Sequence, residues 1–163
     1  MQTKKVYLAV SVTADHMGNM AALSSALFAR EELVKQNIMV RVQCVQDLDV
    51  LDADVKKVHP DMVLIVEGRA GKQDLEVFHQ VLPDWDRYER SYMAAKGIIF
   101  HTRRLRKMHN RYVQAGYMMQ WMQRIQAPAV YVRLGIEDEI KMDEMLSQGK
   151  AMAKSIMQYN VAG

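Results

Sequence analysis

Cysteine is almost missing from this chain: Cys44 stands alone among 163 residues. That excludes an internal disulfide and any cysteine-rich metal site. No CxxC pair, Gly-rich phosphate loop or Ser-His-Asp order is present, and the run Gly68-Arg69-Ala70-Gly71-Lys72 lacks the spacing of a phosphate-cradling loop. No apolar stretch approaches the ~20 residues of a membrane-spanning helix. The basic start, Met1 to Lys5, leads into a short strand-like run rather than a signal-peptide core with a small-residue cleavage site. The expectation is synthesis in the cytosol with no signal peptide and no membrane contact. Work outside the cell would then require release by lysis, carriage in a particle or another signal-free route. A large excess of one charge is also lacking, the net charge being +3, so overall charge does not call for nucleic acid or an anionic membrane.

What is present is an ordinary globular balance, half apolar and one quarter charged, with no repeat, low-complexity tract or linker. Residues 1–163 are expected to form a single domain, long enough to bury a core of two or three layers. Fourteen methionines read as adaptable core filling, with a Met-rich partner groove as the alternative.

Val6 to Val12 is rich in β-branched and aliphatic residues and closes on a polar turn, which predicts a buried strand. Apolar positions from Leu23 to Val34 make a helical stripe between Asn19, a candidate N-cap, and Asn37. Ile38 to Val45 reads as a second strand. A short helix over Val50 to Val58 stops at His59-Pro60, since proline cannot continue it. Asp61 to Val66 is almost wholly apolar, as a strand buried on both faces would be. Asp74 to Val81 and Trp85 to Ala95 are read as helical, Gly97 to His101 as a strand, and Asn110 to Ile125 as a helix weakened by Gly116. Ala127 to Gly135 reads as a last buried strand and Met142 to Tyr159 as a closing amphipathic helix. Alternation of this kind predicts βαβ units and a mostly parallel sheet.

Ligands of open α/β sheets sit outside the carboxyl ends of the strands. Three such ends are Thr13-Ala14-Asp15-His16-Met17-Gly18, Ile65-Val66-Glu67-Gly68-Arg69 and Val132-Arg133-Leu134-Gly135. Arg133 interrupts an apolar strand, and an unpaired buried charge is very costly, so it needs a partner or a cleft open to solvent. His16 alone reads as a turn residue and Glu67 alone as a solvated strand-end acid. Arg103, Arg104, Arg106, Lys107 and Arg111 form a basic cluster that reads as a solvated helix face or as a phosphate-binding patch. The acids Glu137, Asp138, Glu139, Asp143 and Glu144 are a candidate partner for it, within or between subunits, and a homo-oligomer is one outcome.

The order and spacing of the three strand ends resembles the zinc-dependent N-acetylmuramoyl-L-alanine amidases of the amidase-3 type, which cleave the amide between sugar and peptide in bacterial cell walls. The likeness covers about residues 4–69 and 127–160. In that family the first strand ends in Asp-x-Gly-His-Gly-Gly, and His16 falls on its zinc-ligand histidine. The family's third strand leads to Ser-Ile-His-x-Asn, which puts Glu67 on a second ligand. The last, Pro-Ala-x-x-Val-Glu-Leu-Gly-Phe, is similar to Pro128-Ala129-Val130-Tyr131-Val132-Arg133-Leu134-Gly135-Ile136, which puts Arg133 on the catalytic glutamate. A further glutamate ligand has no counterpart near Gly18 to Met20.

The resemblance implies an α/β three-layer sandwich with a mixed, mostly parallel sheet flanked by helices, amidase-3 or zinc-peptidase-like. It also implies a site with its chemistry replaced. Zinc hydrolysis needs three protein ligands, an open position and a base. A fixed cation at position 133 repels Zn²⁺ and accepts no proton. The expectation is therefore a degenerate amidase-like module without zinc, in which Arg133 pairs with Glu67 and Arg69 joins the basic residues as a binding group. Its expected partner is a peptidoglycan fragment or a protein, in a phage or bacterial assembly; nucleic acid is not the expected partner. The alternatives are an active zinc amidase holding metal through His16, Glu67 and a third ligand such as His79 or His101, and a basic nucleic-acid-binding module that uses the basic cluster. Leu64 to Arg69 is also similar to the Glu-Gly motif of Toprim domains, but Asp84-Trp85-Asp86 follows Glu67 too closely for that fold.

Overall fold

Alternate residues of Lys5–Ser11 (β1) are buried on opposite sides, Val6, Leu8 and Val10 against one layer of helices and Tyr7 and Ala9 against another. A strand apolar on both faces belongs at the centre of a sheet covered on both sides. The computed structural model describes residues 5–72, 74–81, 84–102, 111–137 and 139–160. Among them, β1 is joined by β2 (Met39–Val45), β3 (Met62–Ala70), β4 (Leu75–His79), β5 (Arg111–Ala115) and β6 (Ala129–Ile136). The six make one sheet in the order β2-β1-β3-β6-β4-β5. β1, β2, β3 and β6 run parallel; β4 runs antiparallel to β6, with β5 parallel to β4.

Helices α1 (His16–Lys35), α3 (Trp85–Thr102) and α5 (Met142–Asn160) cover one face, and α2 (Leu51–Val58) and α4 (Gln120–Arg124) cover part of the other. This is the expected three-layer sandwich. No helix of the described residues is long and apolar enough to cross a membrane.

The strand and helix expectations up to residue 70 and beyond residue 127 hold to within a few residues. One correction there is the cap of α1. Asp15 accepts from the Gly18 amide, while Asn19 exchanges two hydrogen bonds with the Thr13 backbone, so the helix starts three residues before Asn19. The middle of the chain needs larger corrections. Residues 74–81 contain a strand, not a helix, because Leu75 and Val77 enter one core while Phe78 enters the other, a period of two. Gly97 to His101 is not a strand: α3 continues to Thr102, burying Ala94, Ala95, Ile98 and Thr102 along one side. Asn110 to Ile125 is not one helix. It divides into β5 and α4 at Gly116, whose amide bonds the His79 carbonyl and whose added Cβ would meet that oxygen at 3.1 Å.

A buried polar knot ties these middle elements together. Gln80 is fully buried; its Nε2 donates to the Met122 and Ile125 carbonyls at 3.0 and 3.1 Å, and its Oε1 accepts from the Ala129 amide at 2.9 Å. Ser91 Oγ accepts from the Gln80 amide and donates to the Ala129 carbonyl.

His79 beside it is buried, edge-on to Tyr88 and Tyr92, with Nδ1 donating to the Gln80 carbonyl at 2.8 Å. Burial lowers its pKa, against the pull of that carbonyl. The unfolded chain therefore binds the proton more readily, and stability rises with pH across the interval between the two pKa values. We expect full stability above about pH 6.5, with a loss on acidification that a His79→Phe chain lacks. Urea midpoints from pH 7.5 to 5 measure this; parallel curves for the two proteins would contradict it.

Candidate functional site

Because β1, β3 and β6 are parallel, their carboxyl ends lie along one edge of the sheet. The chain leaves β1 into α1 on one face and leaves β2 toward α2 on the other, so the crevice opens where the direction of winding changes. Two glycines let the start of α1 lie directly on the end of β3. A Cβ on Gly68 would sit 2.6 Å from the Gly18 carbonyl carbon, and one on Gly18 would sit 2.6 Å from that of Gly68. Asp15 locks the junction, its carboxylate accepting from the Ala70 amide at 2.7 Å and the Gly18 amide at 2.8 Å. Those two N–H groups, Ala70 foremost, hold its pKa below the usual carboxylate range. His16 follows as the first residue of α1, with its side chain exposed.

Glu67 lies on the same face of β3 as Val63 and Ile65, the α2/α4 side, and is buried. Both carboxylate oxygens are engaged: Oε1 accepts from Ser11 Oγ and Oε2 from Arg69 Nε, each at 3.0 Å. Arg133 stands opposite Glu67 in the β3–β6 register. Its guanidinium packs over the rings of Phe78 at 4.9 Å and Tyr131 at 5.2 Å, and its Nε donates to Tyr131 Oη at 3.3 Å. Such stacking suits a delocalised, weakly hydrated cation. Burial above all pushes the Tyr131 phenol up to about 12, with the Arg133 hydrogen bond opposing and the Glu67 charge adding.

Across β6 from Glu67, the antiparallel β4 sets Glu76 opposite Arg133, and Gln114 of β5 donates to Glu76 Oε2 at 2.9 Å. A cleft of about 100 Å³ opens here, lined by Arg69, Lys72, Asp74, Glu76, Arg133 and Gly135.

The structure thus brings Glu67, Arg69 and Arg133 into one neighbourhood and corrects the expected pairing. The ion pair to Glu67 comes from Arg69, not Arg133. Residues 67 and 69 share a face of the strand, and Arg69, with 40% of its side chain exposed, reaches back over the strand end. Arg133 is instead held by aromatic rings. His79 pairs with Val130 at the far end of β6, and His101 bonds Gln158 at the end of α3, so neither joins His16 and Glu67. Of the basic cluster, Arg103, Arg104, Arg106 and Lys107 lie outside the described residues, and Arg111 opens β5. Ser11, Glu76, Tyr131 and Gln114 were not anticipated; the alternation of β1 and β6 marks Ser11 and Tyr131, while Glu76 and Gln114 sit in strands read as helix.

These donors do not fit zinc. Glu67 is already ion-paired with Arg69, Arg133 stands opposite it in the register, and among the described residues no three His, Cys, Asp or Glu side chains come together as ligands. A wider groove of about 820 Å³ runs beside edge strand β2, lined by residues including Tyr7, Arg41, Gln43 and Asp54. There the Tyr7 hydroxyl is spent on Asp54, and burial foremost raises its pKa. The strand-end cleft gathers three cations, Arg69, Lys72 and Arg133, beside Asp74 and Glu76.

No protein-family model matches the chain, and no curated protein is similar to it in sequence. Solved structures are similar in fold. An N-acetylmuramyl-L-alanine amidase from Mycobacterium abscessus superposes with a TM-score of 0.71 at 12% identity, covering 98% of this chain and 99% of that one. The N-acetylmuramoyl-L-alanine amidase of Clostridium difficile 630 gives 0.71 at 11% identity over 100% of both chains. The CwlD amidase of Clostridioides difficile, solved in complex with the GerS lipoprotein, gives 0.68 at 12% identity, over 96% of this chain and 98% of that one. The fold is that of the amidase-3 type, as the strand ends implied.

Proposed function

We propose that this chain, built on the fold of cell-wall amidases, acts as a binding or structural module that holds no zinc and cleaves no amide. The observation carrying this reading is the pairing of Glu67 with one cation, Arg69, beside a second, Arg133. The two Glu67 oxygens are committed to Ser11 and Arg69, and the neighbouring strand position is a stacked arginine. Two guanidinium groups beside this carboxylate repel a divalent cation, and no general base stands at position 133. The residues that remain, Arg69, Lys72 and Arg133 with Glu76, offer hydrogen bonds and charge to a ligand rather than a reaction centre. The partner is a peptidoglycan fragment or a protein. An amidase of this fold held by a lipoprotein is a precedent for the second.

Purified protein from zinc-supplemented culture is expected to carry no stoichiometric zinc by elemental analysis, and to leave the turbidity of a peptidoglycan suspension unchanged. Stoichiometric zinc together with release of peptides bearing a new free amino terminus would overturn the proposal in favour of an active amidase. Sedimentation with insoluble peptidoglycan, with and without muropeptide competitor, then separates a wall ligand from a protein partner.

A further inference from the structure

The cleft beside Arg133 has a composition that selects its ligand. Each of its two arginines is anchored through Nε, Arg69 on Glu67 and Arg133 on Tyr131. This leaves the paired Nη groups of each with no partner among the described residues. The end of a guanidinium fork matches a planar carboxylate, and the Phe78 and Tyr131 rings with the Tyr131 hydroxyl hold the Arg133 head group in place before anything binds. Lys72 adds a third positive charge to the lining.

A simple anion site would exclude acids, yet Asp74 and Glu76 line the same cleft. Glu76 faces Arg133 across the β4–β6 register, and among the described residues its Oε2 accepts from Gln114 while its Oε1 accepts no hydrogen bond. Three cations beside two acids disfavour a multiply charged anion such as phosphate and favour a ligand bearing both signs. The volume of about 100 Å³ accommodates a small head group.

We propose that this cleft binds a small zwitterion, a carboxylate and an ammonium on neighbouring atoms as in an α-amino acid, with Arg133 and Arg69 on the carboxylate and Glu76 on the ammonium. The assignment rests on the reading of the strand ends as a metal-free binding site and supplies the chemistry of its ligand.

The test is an NMR titration of EDTA-dialysed full-length protein, following the Nε–H signals of Arg69 and Arg133. The probes are alanine, acetate, acetamide, methylammonium and inorganic phosphate. Alanine is expected to shift the Arg133 signal and to bind roughly tenfold more tightly than acetate, with acetamide and methylammonium inert. Glu76→Gln should abolish the advantage of alanine over acetate and leave acetate binding in place. Arg133→Met, close in volume, should lose both. Phosphate binding more tightly than alanine, equal effects of acetamide and acetate, or no shift with any probe would each overturn the proposal; the wild-type selectivity decides even if a variant fails to fold. Because metal is stripped beforehand, a positive zinc analysis of undialysed protein would defeat the metal-free reading separately and leave the titration result standing.

Discussion

Gly68→Ala is expected to destabilise the protein by about 3 kcal/mol or more, above the usual range for overpacking, because the new methyl group meets backbone and not a side chain that can swing away. Its Cβ would lie 2.6 Å from the Gly18 carbonyl carbon. Relief requires α1 to lift from β3, which stretches the hydrogen bond from the Ala70 amide to the N-cap Asp15. Gly18→Ala should cost a similar amount by the mirror-image contact. The double variant should cost clearly less than the sum, since one displacement of the helix relieves both clashes. Urea denaturation of the four proteins measures all three statements. A loss below about 1 kcal/mol for either single variant would show that the junction is looser than its geometry implies.

Gln80→Leu is expected to cost on the order of 2–4 kcal/mol. Leucine fills most of the space but orphans the Ala129 amide, at about 1–3 kcal/mol, and takes one of two donors from the Met122 and Ile125 carbonyls, which keep the Ile125 amide and Arg87 Nη1. Gln114→Leu is the control, because Gln114 makes one part-buried bond to Glu76 and should lose no more than about 1 kcal/mol. Equal losses in the two variants would mean that the Gln80 knot has no special weight. Amide exchange offers an independent view: in Gln80→Leu, protection should fall first at Ala129 and through α4, where the knot is anchored.

The parts of the fold legible in the sequence are those where one kind of pattern dominates. β1, β3 and β6 are apolar on both faces and punctuated by polar or proline residues, so their existence follows from composition alone. The stretch from residue 74 to 125 resisted reading because its strands are short. Five residues such as Leu75–His79 carry too few positions to separate a period of two from one of 3.6. What decides is partnership with β6, more than fifty residues away. The same obstacle hid half of the site. Glu67 and Arg133 were visible as charges in apolar strands, and their adjacency was expected from the frame. Which cation would reach Glu67 was not legible, since Arg133 is held by Phe78, a residue of the very strand that had been read as helix. Glu76 escaped notice for the same reason.

The place of β6 in the sheet has a consequence for how the protein is made. β2, β1 and β3 adjoin it on one side, β4 and β5 on the other, yet it is encoded after all of them. A nascent chain therefore leaves the ribosome with two half-sheets whose facing edges, β3 and β4, expose unpaired backbone until residues 129–136 emerge. During that interval β3, whose first seven residues are buried in the finished fold, is open to pairing with other chains. Chaperone demand should peak late in synthesis, and slow decoding just before residue 129 should raise aggregation more than slow decoding anywhere earlier.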